Sequence, residues 1–464
     1  MESQPMITLR RSKRMPTHSI GLALLCAVSA AAAPTFTKDV APIFYKNCVS
    51  CHRPGEIAPM SLLDYQSARP WAKAIREAVA TRKMPPWFAD PRYGHFSNDT
   101  RLKEQEIETL KAWVDGGVPQ GNPKDLPAPP TFAEGWRLGK PDLVIDIGQD
   151  FRVAAGQDLY KDFVVSTNLK EGKWIRAAQI LPGNRRLVHH VHVYVVSNGS
   201  DDAKQDTKTP AASRAPALGG FAEIQNGLTR VRDDAPVIDD ACAANANLPN
   251  LSGFEEGSLA TMLPGKPPDN FDVFGDGSTA KYIPAGAKLR FQIHYAKVDQ
   301  ADTDRTSIGL YVVAKPPEKP LKRVDLRNRF FLIPAGDPNH AVKRCYDVEQ
   351  DKLLVAITPH MHYRGKDATY ELIHADGRRD TLLVVPRYDF NWQLQYRFEK
   401  AILMEKGSRM EVTFHYDNSP NNPANPEPTK AIRWGDRSED EMMVTWTETI
   451  NVSPAESATT AASR

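Results

Sequence analysis

Leu187-Val188-His189-His190-Val191-His192-Val193-Tyr194 decides how most of this chain is read. β-Branched and aromatic residues surround three imidazoles, which is the composition of a strand. Side chains alternate across a strand, so His190 and His192 share one face and His189 begins on the other. Adjacent His189 and His190 can hold one metal ion only where the strand ends, bulges or twists, or where the rings use different nitrogens. A hydrogen-bonded structural cluster is the plain alternative.

Similar short runs lie at 143–147, 288–294, 308–313, 353–357, 369–373 and 410–415, bounded by Gly, Pro, Asn and Asp. Many strands without intervening helices imply antiparallel β-sandwiches. A proline-rich break at 316–320 divides them into two jelly-roll-like domains, 142–315 and 321–454, with 455–464 left as a flexible tail. Both contain Ile-Pro-Ala-Gly, at 283–286 and 333–336, a repeat so short that coincidence and shared turn chemistry both explain it. Residues 197–250, rich in Asp, Ala, Ser and Asn, read as a surface insertion in the first of these domains, with little core of its own.

Ahead of the strands, residues 34–120 read as helical. The segment 37–45 leads into Cys48. In 71–81, Ala74, Ile75, Ala78 and Val79 recur at helical spacing, and in 104–115 Ile107, Leu110 and Val114 share a face. Gly116-Gly117 stops the last helix, and the prolines of 121–141 make an extended linker. The fold class is therefore multidomain α plus all-β. At 464 residues, with 41% apolar and 25% charged residues, the composition is globular and long enough for two or three domains.

Arg10, Arg11, Lys13 and Arg14 precede the apolar stretch 21–28 and the small residues 29–33. This order reads as a secretory signal, 1–33, cleaved near Ala31 or Ala33; an N-terminal membrane anchor is the alternative. No later apolar run approaches the roughly 18 residues of a spanning helix, so no integral span is expected after cleavage. The formal charge is +2; residues 1–33 carry four of the basic residues and Glu2, so the remainder stands near −1 and offers no footprint for nucleic acid. Periplasmic or secreted location follows.

Of five cysteines, Cys26 falls in the signal, and Cys48-Val-Ser-Cys51-His52 is a haem-attachment motif. Its two thiols add to the haem vinyl groups and His52 supplies the proximal nitrogen of a covalent haem c, the mark of a c-type cytochrome domain at 34–120. Met84, in Arg82-Lys83-Met84-Pro85-Pro86-Trp87, is the expected second axial ligand, with Trp87 shielding the haem; Met60 competes. Cys242 and Cys345 remain, and their pairing is left open.

Thr358-Pro359-His360-Met361-His362 places His360 and His362 on one strand face, and Phe291-Gln292-Ile293-His294-Tyr295 adds one more imidazole. The series of a His-His pair, Gln-x-His-Tyr, His-x-His and a later Asp-Glu-Met resembles the copper type II, ascorbate-dependent monooxygenases, peptidylglycine hydroxylating monooxygenase and dopamine beta-hydroxylase. The resemblance covers roughly 141–448. It implies two copper ions: one on His189, His190 and His294, storing an electron, and one on His360, His362 and Met442, meeting oxygen. Met443 is the alternative to Met442, and His192 is extra to the family pattern. His340, His374 and His415 have no motif support and are left structural.

The resemblance implies O2 and an organic substrate as partners, with ascorbate or a redox protein as electron donor and haem c feeding electrons to the three-histidine copper. Relatives that amidate peptides hold the peptide carboxylate at places that are Thr358 and Trp446 here, so a glycine-extended peptide is not the expected substrate. A non-catalytic electron-transfer or copper-binding protein is the competing expectation, and a structural or docking module a third.

Overall fold

The computed structural model describes residues 33–56, 58–132, 135–156, 159–196, 221–225, 228–243, 258–263 and 266–452. The expected export signal, save Ala33, lies outside the described residues, as do the tail 455–464 and much of the insertion 197–250. Among the described residues no helix is long and apolar enough to cross a membrane.

The chain is mainly antiparallel β-structure preceded by a few helices. A π-helical turn, Phe36–Val40, runs into the helix Ala41–Asn47, and two longer helices follow at Ala72–Ala80 and Glu104–Asp115. Their apolar stripes meet in one small core. Trp113 is buried at its centre, edge-to-face with Phe44 at 6.3 Å, and its indole N–H donates to the Pro119 carbonyl. Trp113, not the expected Val114, thus fills the buried face of the last helix. Gly117, at φ +86°, allows the reversal that ends it.

The first β-region pairs a five-stranded sheet with a four-stranded one, Leu159–Ser166, Lys288–Tyr295, Val188–Val196 and Ser258–Met262. The second pairs two four-stranded sheets. One runs Leu321–Asn328, Met443–Asn451, Lys352–His360, Tyr396–Met404; the other His340–Asp347, Arg409–Tyr416, Gly365–Ile373, Arg379–Val385. Inward residues alternate in Arg409–Tyr416, as expected of a strand with one wet face. Gly286 and Gly336, the last residues of the two Ile-Pro-Ala-Gly runs, both have positive φ, so the repeat reflects a shared turn.

Met443–Asn451 behaves differently, being buried through Ile450 on both faces. Met443 packs in the core of the second sandwich. Ile450, on the opposite face, joins the core of the first, as do Leu321, Leu353, Val355 and Leu403. Beside them Lys281 and Glu448 form a buried ion pair at 3.2 Å. The two sandwiches are therefore welded through a continuous apolar contact. The division at 316–320 separates them in sequence but not in core.

Two further boundaries need correction. The insertion was expected to lie on the surface of the first sandwich. Its described part forms a hairpin, Ala222–Gln225 with Leu228–Val231, and buries Val231, Ala235 and Ala241 in the core of the second. There a disulfide joins Cys242 to Cys345 with a Cα separation of 5.1 Å, answering the pairing that spacing left open. Trp87 was expected to shield the haem. Instead Trp87, Ala89 and Phe96 enter the core of the second sandwich, and Trp87 stands 5.0 Å from the Tyr396 ring. Main-chain bonds from Asp90 to Val384 and from Ser97 to Arg397 fasten this strap. A large apolar side chain follows the nearest core that can bury it, and here that core lies 300 residues away in sequence.

Candidate metal centres and the cavity between them

The first histidine group forms where Val188–Val196 pairs with Lys288–Tyr295. His190 stands opposite His294, but the next pair is Val188 with Tyr295, so His189 is an extra, bulged residue. A bulge turns an outward side chain toward its neighbour's face. This resolves how adjacent histidines share a site. One ligand atom from each of His189, His190 and His294 lies within 4.8 Å of the others. The Nδ1 atoms of His189 and His190 are 3.1 Å apart, close to the roughly 3.3 Å that two nitrogens take when each is about 2.0 Å from a tetrahedral ion.

Tyr160 stacks on His294 with ring centroids 4.2 Å apart and 4° between planes, which fixes that ring. Its hydroxyl shares a 3.1 Å hydrogen bond with Ser438 of the second sandwich. Burial and the neighbouring histidines hold the His190 pKa well below the usual imidazole range. A neutral imidazole keeps the lone pair that a metal needs.

The second group stands at the end of Lys352–His360. The rings of His360 and His362 are perpendicular with centroids 5.2 Å apart. Nδ1 of His360 is 2.8 Å from the Gln393 side-chain oxygen, and Nδ1 of His362 is 3.3 Å from the Asp440 carbonyl. Both Nδ1 atoms therefore serve as donors, which leaves Nε2 of each ring for a ligand. Burial pushes His360 down to about 4, although Gln393 acts the other way, and burial likewise lowers His362.

Glu441 organises the backbone here. Its fully buried carboxylate accepts N–H bonds from His362 at 2.8 Å, Arg364 at 2.6 Å and Met442 at 3.1 Å. Burial pushes this carboxyl up to about 7 against those three donors and Arg364. The bracket ties the His-x-His turn to the segment that carries Met442. Met442 lines the cavity that His360 and His362 also line, whereas Met443 is buried in the core.

His190, His192, His360, His362 and Met442 all line one cavity of about 120 Å³ between the sandwiches. His192, the imidazole without a family counterpart, is not a member of the three-histidine group. It lies 5.2 Å from the Trp446 ring, and Trp446 lies 5.1 Å from His360, so the indole stands between His192 and His360. Gln393 had no motif to announce it; Asp440 and Glu441 stood in the Asp-Glu-Met run and Trp446 at a position that the resemblance singled out, but their contacts with the histidines were not foreseen.

Cys48 and Cys51 are free, partly buried thiols at the end of Ala41–Asn47. Burial, and then Cys51 and Glu106, push the Cys48 thiol up to about 12; burial lowers His52. Met60 packs against the helical core that contains Val49, whereas Met84 follows Ala72–Ala80 with its N–H on the Ala78 carbonyl. A cleft of about 840 Å³, within the usual range for cofactor sites, is lined by Cys51 on one side and His189 on the other. Across it Glu56, just past the motif, bridges Arg137 at 2.7 Å and Arg185 at 3.4 Å, joining the helical region to the turn before His189.

No family model matches this chain, and a comparison with curated proteins finds no match. Among solved structures it is similar to the major capsid protein P2 from bacteriophage PM2, at 9% identity and TM-score 0.25, over 67% of this chain and 97% of that one. It is also similar to PNGF-II, at 7% identity and TM-score 0.28, over 67% and 65%. At these scores the likeness carries no argument about this chain.

Proposed function

We propose that this protein is an exported haem- and copper-containing oxidoreductase, a monooxygenase that hydroxylates an organic substrate with O2 and receives its electrons through haem c. The observations that carry this reading are the clustering of His189, His190 and His294 and the cavity that His190 lines together with His360, His362 and Met442. His189, His190 and His294 would hold one copper ion, and His360, His362 and Met442 the other. Cys48, Cys51 and His52 would hold the haem, with Met84 as second axial ligand and Met60 competing.

The donor sets suit those groups. Imidazole serves copper in either oxidation state and a thioether favours the reduced one. When bound, the copper ions supply electron storage and oxygen activation, and the haem one-electron delivery. The chain's own residues prepare the sites. Gln393 and the Asp440 carbonyl aim two Nε2 atoms, the bulge gathers three rings, and the buried indole of Trp446 packs beside His360. The cleft shared by Cys51 and His189 supports a short route from haem to the three-histidine group.

Mixing the reduced protein with O2 in a stopped flow tests this. Haem oxidation is expected to be faster with copper bound; identical traces with and without copper would overturn the coupling. One observation favours a second reading. The cavity, at about 120 Å³, is smaller than the roughly 300 Å³ at which ligand sites usually begin, as suits a non-catalytic electron carrier or copper-binding protein.

A further inference from the structure

Three guanidinium groups, Arg290 from the first sandwich and Arg327 and Arg329 from the second, line the cavity that His360, His362 and Met442 also line; among its lining residues only Asp436 is acidic. A partly open cleft that gathers positive charge attracts an anion. For Arg290 and Arg327 the carboxylates behind them are distant or shared. Arg290 reaches Asp162 only at 3.7 Å, and Asp325 is shared between Arg327 at 2.8 Å and Arg323 at 2.8 Å. The Nε atoms of Arg290 and Arg327 are buried and have no hydrogen-bond partner.

We propose that this cavity binds a small organic carboxylate, held by Arg327 and Arg290 with Arg329 alongside, and that this is the substrate class of the site. The guanidinium fork matches a carboxylate in two parallel bonds. Among the remaining lining residues Trp434, Trp446, Met442 and Val444 offer apolar surface, which suits an organic remainder. The volume of about 120 Å³ suits a short acid.

Arg327 places the anion beside the oxygen-binding group. It is paired with Val444, two residues past Met442, and its charge helps to depress His360. The arrangement is not the carboxylate site of the peptide-amidating relatives, whose positions are Thr358 and Trp446 here. As a statement about substrate the proposal rests on the oxygenase reading; as a statement about binding it does not.

The test is the methyl line width of acetate in solution with the full chain, compared with acetamide and with sulfate as competitor, in chelated and metal-loaded protein. Saturable binding of acetate to chelated protein is expected, with acetamide about tenfold weaker. Arg327→Gln and Arg290→Gln should each weaken acetate about tenfold. Asp325 keeps Arg323 as partner in the first, and a second variant on the other sandwich guards against misfolding. Equal binding of acetamide, displacement by sulfate at equal concentration, no effect of either variant, or binding only when metal is present would each overturn the proposal. Acetate binding to a chain that takes up no copper would leave the anion site standing and sink the oxygenase.

Discussion

The two histidine groups, which meet at one cavity through His190, His360 and His362, are built by opposite means. His189, His190 and His294 are gathered by main-chain register: a single bulge sets three rings on two neighbouring strands. His360, His362 and Met442 come from a strand end and a distant loop, and polar side chains hold them: Gln393 on one ring, and Glu441 on the backbone of both pieces. A site made by register is as stable as the sheet that contains it. A site made by a bracket can be loosened alone, without unfolding its neighbour.

That contrast can be broken most forcefully at Glu441. Glu441→Ala leaves two buried N–H groups and one half-buried one without their acceptor, at roughly 1–3 kcal/mol for each buried group, so a loss on the order of 2 kcal/mol or more is expected in urea unfolding. Metal affinity at the His360 group should fall with it, while that of the three-histidine group stays unchanged. Equal loss at both groups in metal titration would show that the bracket serves the whole fold and that the contrast is false.

Gln393→Leu is the sharper and smaller probe. It removes the acceptor that sets the His360 tautomer, and metal affinity at that group should drop about 10–100-fold with little change in unfolding. Unchanged affinity would mean that the ring is aimed by packing against Trp446 rather than by the amide.

The strand character of 187–196 was legible because β-branched residues report on a buried sheet; His360 and His362 do stand together, but the strand ends at His360, so they do so across its end rather than by alternation along one face. Even the bulge was among the arrangements that adjacent histidines allowed. The strand Leu321–Asn328 escaped notice because Lys322, Arg323, Asp325 and Arg327 interrupt its apolar residues, and it is from this strand that Arg327 enters the cavity. Met443–Asn451 escaped because threonines occupy its inner face. Glu441, Gln393 and Asp440 are single polar residues whose role depends on what lies across from them. Trp87 was misassigned for the same reason: nearness in sequence to the haem motif says nothing about a core formed 300 residues later.

Metal content measured per chain, on the full protein and on two variants, tests the central claim most directly. The account predicts two copper ions per chain, one of them lost in His294→Ala and the other in His360→Ala. A single copper that disappears in both variants, or none in the parent protein, would contradict it.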